Sequence, residues 1–282
     1  MSLSIHDHDR RKSGLTYVYA VLGRRAGGVS VGVNLNTNSA CNWRCVYCEI
    51  PDLKFGNAPD CDLQLLEREL RGMLIDILRG DWMQKNVPEE RWRVLKDVSI
   101  SGNGEPTSCP QFPEVVALIG RVLREFDEAR DTQIVLITNG SLIHKPEVQR
   151  GLRTLHELAG VVWFKLDSAT EEGTARLNNA RAGLARTRTN VELAARACTT
   201  WLQTMVLAWK GEPPSDAESD AYVRFVRELV SAGVPLKGVH MYGPARESYQ
   251  PEAAHISEVP RAWLDAFAAR VEAAGLPVRL SP

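Results

Sequence analysis

A repeated change of hydrophobic period restricts this chain more than any other feature. Short β-branched runs alternate with stretches whose apolar residues recur at helical spacing. The runs are VGVNLN ending at Asn36, DVSIS over 97–101, TQIVLIT over 132–138, VVWFKLD over 161–167, WLQTMVLAW over 201–209 and PLKGVHMY over 235–242. Helical patterns fill most of the intervals, the first with Asp62 as its N-cap. WMQKNVPEERWRVLK reads as an irregular connection, and a helix over VPRAWLDAFAARVEAAG and a strand in LPVRLSP close the chain. Six strand–helix units in alternation require a parallel sheet with right-handed crossovers, as a partial barrel or an open sheet. The expectation carried forward is an α/β fold, a partial (βα)6 barrel with a short N-terminal β extension. That extension is two β-type runs around an Arg-Arg-Ala-Gly-Gly turn. Residues 1–30 form a polar tail and the extension, and residues 31–282 form the core, with no linker or internal repeat between them.

Composition narrows the function classes. Of 282 residues, 44% are hydrophobic and 24% charged, the balance of a globular chain, and a net charge of −1 gives no general field to attract nucleic acid or membrane. The segment MSLSIHDHDRRKSG lacks the apolar core of a secretory signal, and the longest apolar runs are too short to cross a bilayer. The expected location is cytoplasmic, away from membranes. Clustered thiols in that compartment point to metal rather than to disulfides.

Three of the six cysteines are clustered. In TNSACNWRCVYCEIPD, Cys41, Cys45 and Cys48 stand at C-x3-C-x2-C spacing in a loop just after a strand, with Trp43 and Tyr47 between them. In barrels, the carboxyl ends of strands carry the functional groups. Three thiolates hold three corners of an iron–sulfur cubane and leave one iron open to a small molecule. The alternatives are a zinc site recruiting Cys61, Cys109, His240 or the His-Asp-His-Asp run, and three core cysteines with no metal.

CNWRCVYC resembles the CxxxCxxC signature of the radical S-adenosylmethionine (SAM) superfamily. The resemblance implies a [4Fe-4S] cluster held by Cys41, Cys45 and Cys48. The amino and carboxylate groups of SAM occupy the fourth iron, with Tyr47 near the adenine. It further implies reductive cleavage of SAM to a 5′-deoxyadenosyl radical that abstracts hydrogen from a substrate, with electrons from a flavodoxin or ferredoxin type donor.

SGNGEPT, over 101–107, follows the next strand. Glycine lets backbone approach a ligand, and a carboxylate beside it accepts from an ammonium group. At the place where the superfamily carries GGEP, the resemblance assigns Gly104 and Glu105 to the SAM amino group and Gly102 to shaping the loop. The form resembles iron–sulfur oxidoreductases related to wybutosine synthesis. Asn139 in ITNGS, Asp167 and Ser168 on the ribose, and Lys165 on a carboxylate complete the implied cofactor set. A structural Lys165–Asp167 pair is the competing reading. Met205 and Leu207 are placed near adenine or in the core, and Trp209, Lys210, Tyr242 and Arg246 are candidate substrate contacts.

The basic NNARAGLARTRTNVE stretch reads as a solvated loop, with phosphate contact or a lid as alternatives. Cys61, Cys109 and Cys198 are too scattered to predict an auxiliary cluster. The expected function is hydrogen abstraction from a small-molecule or nucleotide-derived substrate. An RNA- or peptide-modifying enzyme and a non-catalytic iron–sulfur or zinc module are the alternatives.

Overall fold

The computed structural model describes residue 3 and residues 13–23, 27–180 and 183–281. The polar tail with its His-Asp-His-Asp run, the Arg-Arg-Ala part of the first turn and Arg181 lie outside the described residues.

Eight strands form the main sheet: β1 (Val18–Gly23), β2 (Gly28–Val33), β3 (Leu95–Ile100), β4 (Gln133–Thr138), β5 (Val161–Lys165), β6 (Thr199–Met205), β7 (Leu236–Tyr242) and β8 (Val278–Ser281). They lie side by side in chain order. β1 runs antiparallel to β2, and every other pair is parallel. β1 and β8 are the two edges, so the sheet is curled but not closed, a partial barrel.

The helices of eight or more residues are α1 (Leu63–Leu78), α2 (Phe112–Leu123), α3 (Pro146–Glu157), α4 (Glu171–Asn178), α5 (Leu184–Ala197), α6 (Asp216–Ser231) and α7 (Arg261–Ala273). Asp62 caps α1, its side chain accepting from Leu65 N at 2.9 Å. The parallel strands bury their outward residues under these helices. Val98, Ile100, Leu136, Val162, Phe164, Leu202, Val239 and Met241 are all buried in one continuous core with α1, α2, α3, α5, α6 and α7, while Leu177 of α4 packs in a second cluster with Val46 and Tyr47. At roughly 1.5–3 kcal/mol for each large apolar side chain, this layer supplies the main cohesion of the fold.

β1 is tied into place by a buried carboxylate. Glu69 of α1 accepts from the backbone N–H groups of Thr16, Tyr17 and Val18 at 2.9, 2.8 and 3.2 Å. These donors would otherwise stand unpaired where the chain enters the sheet.

Two stretches depart from expectation. Residues 82–92 are less irregular than the sequence implies, holding a short helix, Trp82–Asn86, and a 3-10 turn, Glu90–Trp92. The basic stretch is mostly helical. Its first part completes α4, which Asn179 ends in the left-handed conformation (φ 50°), and α5 begins after Gly183 (φ 71°). Arg176 pairs with Glu218, and Arg188 with Glu192 and Glu228, so acids of α5 and α6 compensate the local charge.

Candidate functional site

The cysteine loop leaves β2 and makes a two-residue parallel pairing, Ala40–Cys41 with Lys54–Phe55. It is then held from two directions. From the last turn of α4, the carbonyls of Leu177 and Asn178 accept from Val46 N (2.8 Å) and Arg44 N (3.1 Å), and Asn178 Nδ2 donates to Cys45 Sγ at 3.3 Å. From the segment after β7, Ser248 Oγ donates to Val46 O (2.7 Å), Tyr249 N to Cys48 O (3.0 Å) and Gln250 Nε2 to Ile50 O (3.1 Å). A bidentate Arg44–Glu252 pair, 2.7 Å at both ends, closes this strap. Trp43 N donates to Cys41 Sγ at 3.4 Å. Burial pushes the Cys41 thiol up to about 12 and the Cys45 thiol up to about 11, the latter against the opposing pull of the Lys165 ammonium. A metal must therefore displace protons from these sulfurs to bind.

The SGNGEPT loop packs against the cysteine loop. A Cβ at Gly102 would lie 2.1 Å from Asn34 Oδ1, and one at Gly104 would lie 2.0 Å from Ala40 O and 2.6 Å from Asn36 Nδ2. Both glycines are thus demanded by neighbouring protein, a reason the sequence alone does not reveal. Glu105 is 2% exposed. Its Oε1 accepts from Thr107 N (3.1 Å), Thr107 Oγ1 (2.5 Å) and Thr138 Oγ1 (2.6 Å), and its Oε2 from Asn139 N (2.6 Å). Burial pushes its carboxyl up while these donors pull it down, and burial wins. Asn139 Nδ2 donates to Asn42 Oδ1 at 2.8 Å, and Asn42 Nδ2 to Ser141 Oγ at 2.8 Å. One polar network therefore joins the ends of β3 and β4 to the loop of the first cysteine.

Lys165, at the end of β5, holds its ammonium 4.8 Å from the centre of the Tyr47 ring and 3.5 Å from Tyr242 Oη. Burial alone would lower its pKa, but Tyr242, Asp167 and Cys45 more than reverse this and hold it above the usual lysine value. It stays cationic.

Asp167 and Ser168, read from the sequence as ribose contacts, stand just beyond the end of β5. Asp167 accepts from Tyr47 Oη, from Asn178 Nδ2 (2.7 Å) and from Met205 N (3.0 Å), so it braces the cysteine loop. Ser168 Oγ accepts from Thr170 N at 3.1 Å, and both residues line a second cavity. Lys210, read as a substrate contact, sits exposed in a turn at φ 54°, its N–H donating to His255 O at 2.6 Å, and lines neither cavity. Trp209 and Leu207 line the second cavity, and Met205 lines both. Arg246 is on the main cavity wall but pairs with Glu49 at 2.6 Å.

The main cavity has a volume of about 280 Å³. On its wall the structure brings together Cys41, Cys45, Cys48, Tyr47, Gly102, Gly104, Glu105, Asn139, Lys165, Tyr242 and Arg246. It also places there residues that the sequence reading missed. Ser30, Asp97, Ser99, Ser101 and Tyr19 form a polar wall inside the barrel, with Asp97 Oδ1 accepting from Ser30 Oγ at 2.5 Å. The signal was available, because period 2 puts Asp97, Ser99 and Ser101 on one face of DVSIS. Large aliphatic side chains usually fill such positions in a closed barrel.

The donor set fits an iron–sulfur cubane better than zinc. A cubane takes one thiolate per iron, so its ligands need not converge on a point. Among the described residues no three His, Cys, Asp or Glu side chains converge as around a single ion. Of the proposed fourth zinc ligands, Cys61 and Cys109 are buried in the apolar core, and His240 is flanked by Trp163 and Trp201, with ring centroids at 4.8 and 4.6 Å.

Comparison with known proteins agrees with this geometry. The chain is 26% identical over 159 residues to a UPF0026 protein of Helicobacter pylori strain J99, a match covering 56% of this chain and 44% of that protein. The chain thus spans less than half the length of this relative. With a UPF0026 protein of Synechocystis it is 23% identical over 283 residues, covering 94% and 96% of the two chains. Among solved structures, the fold is similar to a radical SAM methyltransferase from Sphaerobacter thermophilus (TM-score 0.56, 14% identity, 93% of this chain and 68% of the other). It is similar also to TYW1 with a lysine-pyruvate adduct bound (TM-score 0.57, 12% identity, 96% and 79%). These two likenesses establish the partial-barrel fold. The radical SAM superfamily model matches residues 35–247, from just before the cysteine loop to just beyond β7, and the chain belongs to that superfamily, which uses a [4Fe-4S] cluster and S-adenosylmethionine.

Proposed function

We propose that this enzyme abstracts hydrogen from a small polar or nucleotide-derived substrate held inside the barrel. The observation that carries the reading is a shared wall. The three thiols, the Glu105–Asn139 network and the Lys165 ammonium face one cavity that continues onto Ser30, Asp97, Ser99 and Ser101. When bound, the cluster and SAM supply one electron and a hydrogen-abstracting organic radical.

The chain's own residues hold and orient that pair. Cys41, Cys45 and Cys48 bind iron as thiolates. The buried Glu105 carboxylate, with Gly102 and Gly104 shaping its loop and Asn139 beside it, accepts from the methionyl ammonium. Lys165 meets the methionyl carboxylate, and Tyr47, fixed by Asp167, offers its ring to the adenine. Ser30, Asp97, Ser99 and Ser101 take the polar groups of the substrate, with Tyr242 on the wall of the same cavity. A small molecule is favoured over RNA because acids compensate Arg176 and Arg188 and because the polar wall is interior. Electrons come from a flavodoxin or ferredoxin type donor in the cytoplasm.

The test is anaerobic incubation of the reconstituted protein with SAM and dithionite, followed by chromatography for 5′-deoxyadenosine. Its formation is expected, with loss of both cluster and product in Cys45→Ala. A fully loaded enzyme that leaves SAM intact would refute the proposal.

A further inference from the structure

Five side chains on the wall of the main cavity join in one row of hydrogen bonds: Tyr19, Ser101, Ser99, Ser30 and Asp97. The links are Tyr19 Oη to Ser101 Oγ at 3.1 Å, Ser101 Oγ to Ser99 Oγ at 3.4 Å, Ser99 Oγ to Ser30 Oγ at 3.2 Å and Ser30 Oγ to Asp97 Oδ1 at 2.5 Å. Tyr19 belongs to the edge strand β1 and reaches the row by lying across β2. It stands in register with Gly32, where a Cβ would lie 2.0 Å from Tyr19 Cζ, so only a glycine lets the ring pass. Gly32 is in turn in register with Ser99 of β3.

Proton counting gives this row a single sense. A hydroxyl carries one proton and accepts up to two more, whereas a carboxylate only accepts. Ser30 gives its proton to Asp97, so the proton between Ser30 and Ser99 comes from Ser99. Ser99 then has none left for Ser101, which donates to it, and the proton between Ser101 and Tyr19 belongs to Tyr19. Tyr19 Oη also lies 3.3 Å from Ser101 O, a carbonyl that again only accepts. The carboxylate at the end polarises each bond in turn, which strengthens the chosen direction. The serines of the wall thus keep no proton to offer a ligand, while Ser30, Ser99 and Ser101 each keep a lone pair. They form a surface of acceptors. Beside it, Val135 and Ile137 of β4 and Trp163 of β5 add apolar surface to the same cavity.

We infer that the substrate meets this wall with proton donors. It is a polyol or an amino alcohol, whose hydroxyl or amino groups lie along Ser30, Ser99 and Ser101 and whose carbon skeleton rests against Val135, Ile137 and Trp163. A phosphate, carboxylate, ketone or ether finds no donor among these serines. The inference rests on the reading that hydrogen is taken from a molecule inside the barrel, and it names the class of that molecule.

The experiment gives the reconstituted full-length protein, with SAM and dithionite, one of two probes at equal concentration: carbon-deuterated ethylene glycol or perdeuterated glycol dimethyl ether. Both present C–D bonds beside oxygen, but only the glycol has protons to donate. Deuterium in the 5′-deoxyadenosine, read by mass spectrometry, is expected to be about fivefold higher from the glycol, the effect of a hydrogen bond made or missed. Ser99→Ala breaks the row and frees the Ser101 proton, and Asp97→Asn puts an amide N–H where the carboxylate stood. Each is expected to bring the ratio below about twofold, in protein with wild-type iron content and a native melting transition. Equal deuterium from the two probes overturns the inference, as does 5′-deoxyadenosine that takes no deuterium from the glycol, or a ratio unchanged in both variants. Neutron diffraction from a crystal exchanged into heavy water reads the sense of the row without turnover. Deuterons of Ser30, Ser99 and Ser101 directed along the row toward Asp97 uphold the inference, and deuterons directed into the cavity overturn it. Failure to form 5′-deoxyadenosine with either probe refutes the proposed reaction, while the neutron result still upholds or overturns the acceptor wall.

Discussion

Glu105 carries more of the site than any other single residue. Both of its oxygens are occupied by donors from Thr107, Thr138 and Asn139, in a place where water does not reach. Glu105→Gln keeps the shape but turns an amide N–H toward one of those donors. It is expected to destabilise the apo-protein by about 1–3 kcal/mol in urea unfolding, the cost of a buried polar mismatch. It should also weaken SAM binding measured by calorimetry. Unchanged stability would show that the network is not satisfied as described. The sequence disclosed this glutamate through its glycine neighbours, but not its partners Thr138 and Asn139, which arrive from the end of the next strand. Asp167 shows the opposite case. Its place at a strand end was legible, yet its bond to the cysteine loop was not, because Tyr47 reaches it from 120 residues away in the chain.

At the scale of elements, glycines separate local from tertiary demands. Gly104 abuts Ala40 O, whereas Gly72, within α1, has open space where a Cβ would stand. Gly104→Ala is expected to push the SGNGEPT loop off the cysteine loop and to lower the iron content after reconstitution. Gly72→Ala is expected to raise stability by about 0.5–1 kcal/mol with iron content unchanged. Equal iron content in the two variants would contradict the packing role of Gly104. The strand–helix alternation was readable because each parallel strand buries one face under helices and each helix buries a stripe. The compensation of the basic stretch was only partly legible, because Glu192 belongs to the stretch while Glu218 and Glu228 reach it from α6.

Across the molecule, Cys61, Cys109 and Cys198 are buried, and Cys41, Cys45 and Cys48 are half-buried. Burial pushes Cys61 and Cys198 up to about 12, alongside Cys41 and, somewhat lower, Cys45, above the ordinary thiol value of 9.0. A thiol that holds its proton more tightly when folded adds stability below the unfolded pKa, and that stability is lost as pH rises toward the folded value. Between pH 9 and 12 the native state binds more protons than the unfolded one, so unfolding free energy falls with pH. The apo-protein is expected to show this loss in urea titrations, and Cys198→Ala to make the slope shallower. A slope unchanged by that substitution would remove the thiol as its source. The fold class and the cysteine loop were visible in the sequence at this scale, since both are set by periodicity and short-range spacing. The open edge between β1 and β8 and the strap from residues 248–252 were not, because each joins parts of the chain far apart in sequence.

That strap has a consequence for biosynthesis. Gln250 is bonded to the carbonyl of Cys48 across 202 residues of sequence. At about 5–20 residues per second, the ribosome needs on the order of 10–40 s to make the second partner after the first has emerged. During that interval the nascent chain carries three thiols with no finished seat for a cluster. The cysteine loop is therefore braced from both directions only once residues 248–252 have been made, and a nascent chain stalled before residue 248 lacks one of the two braces.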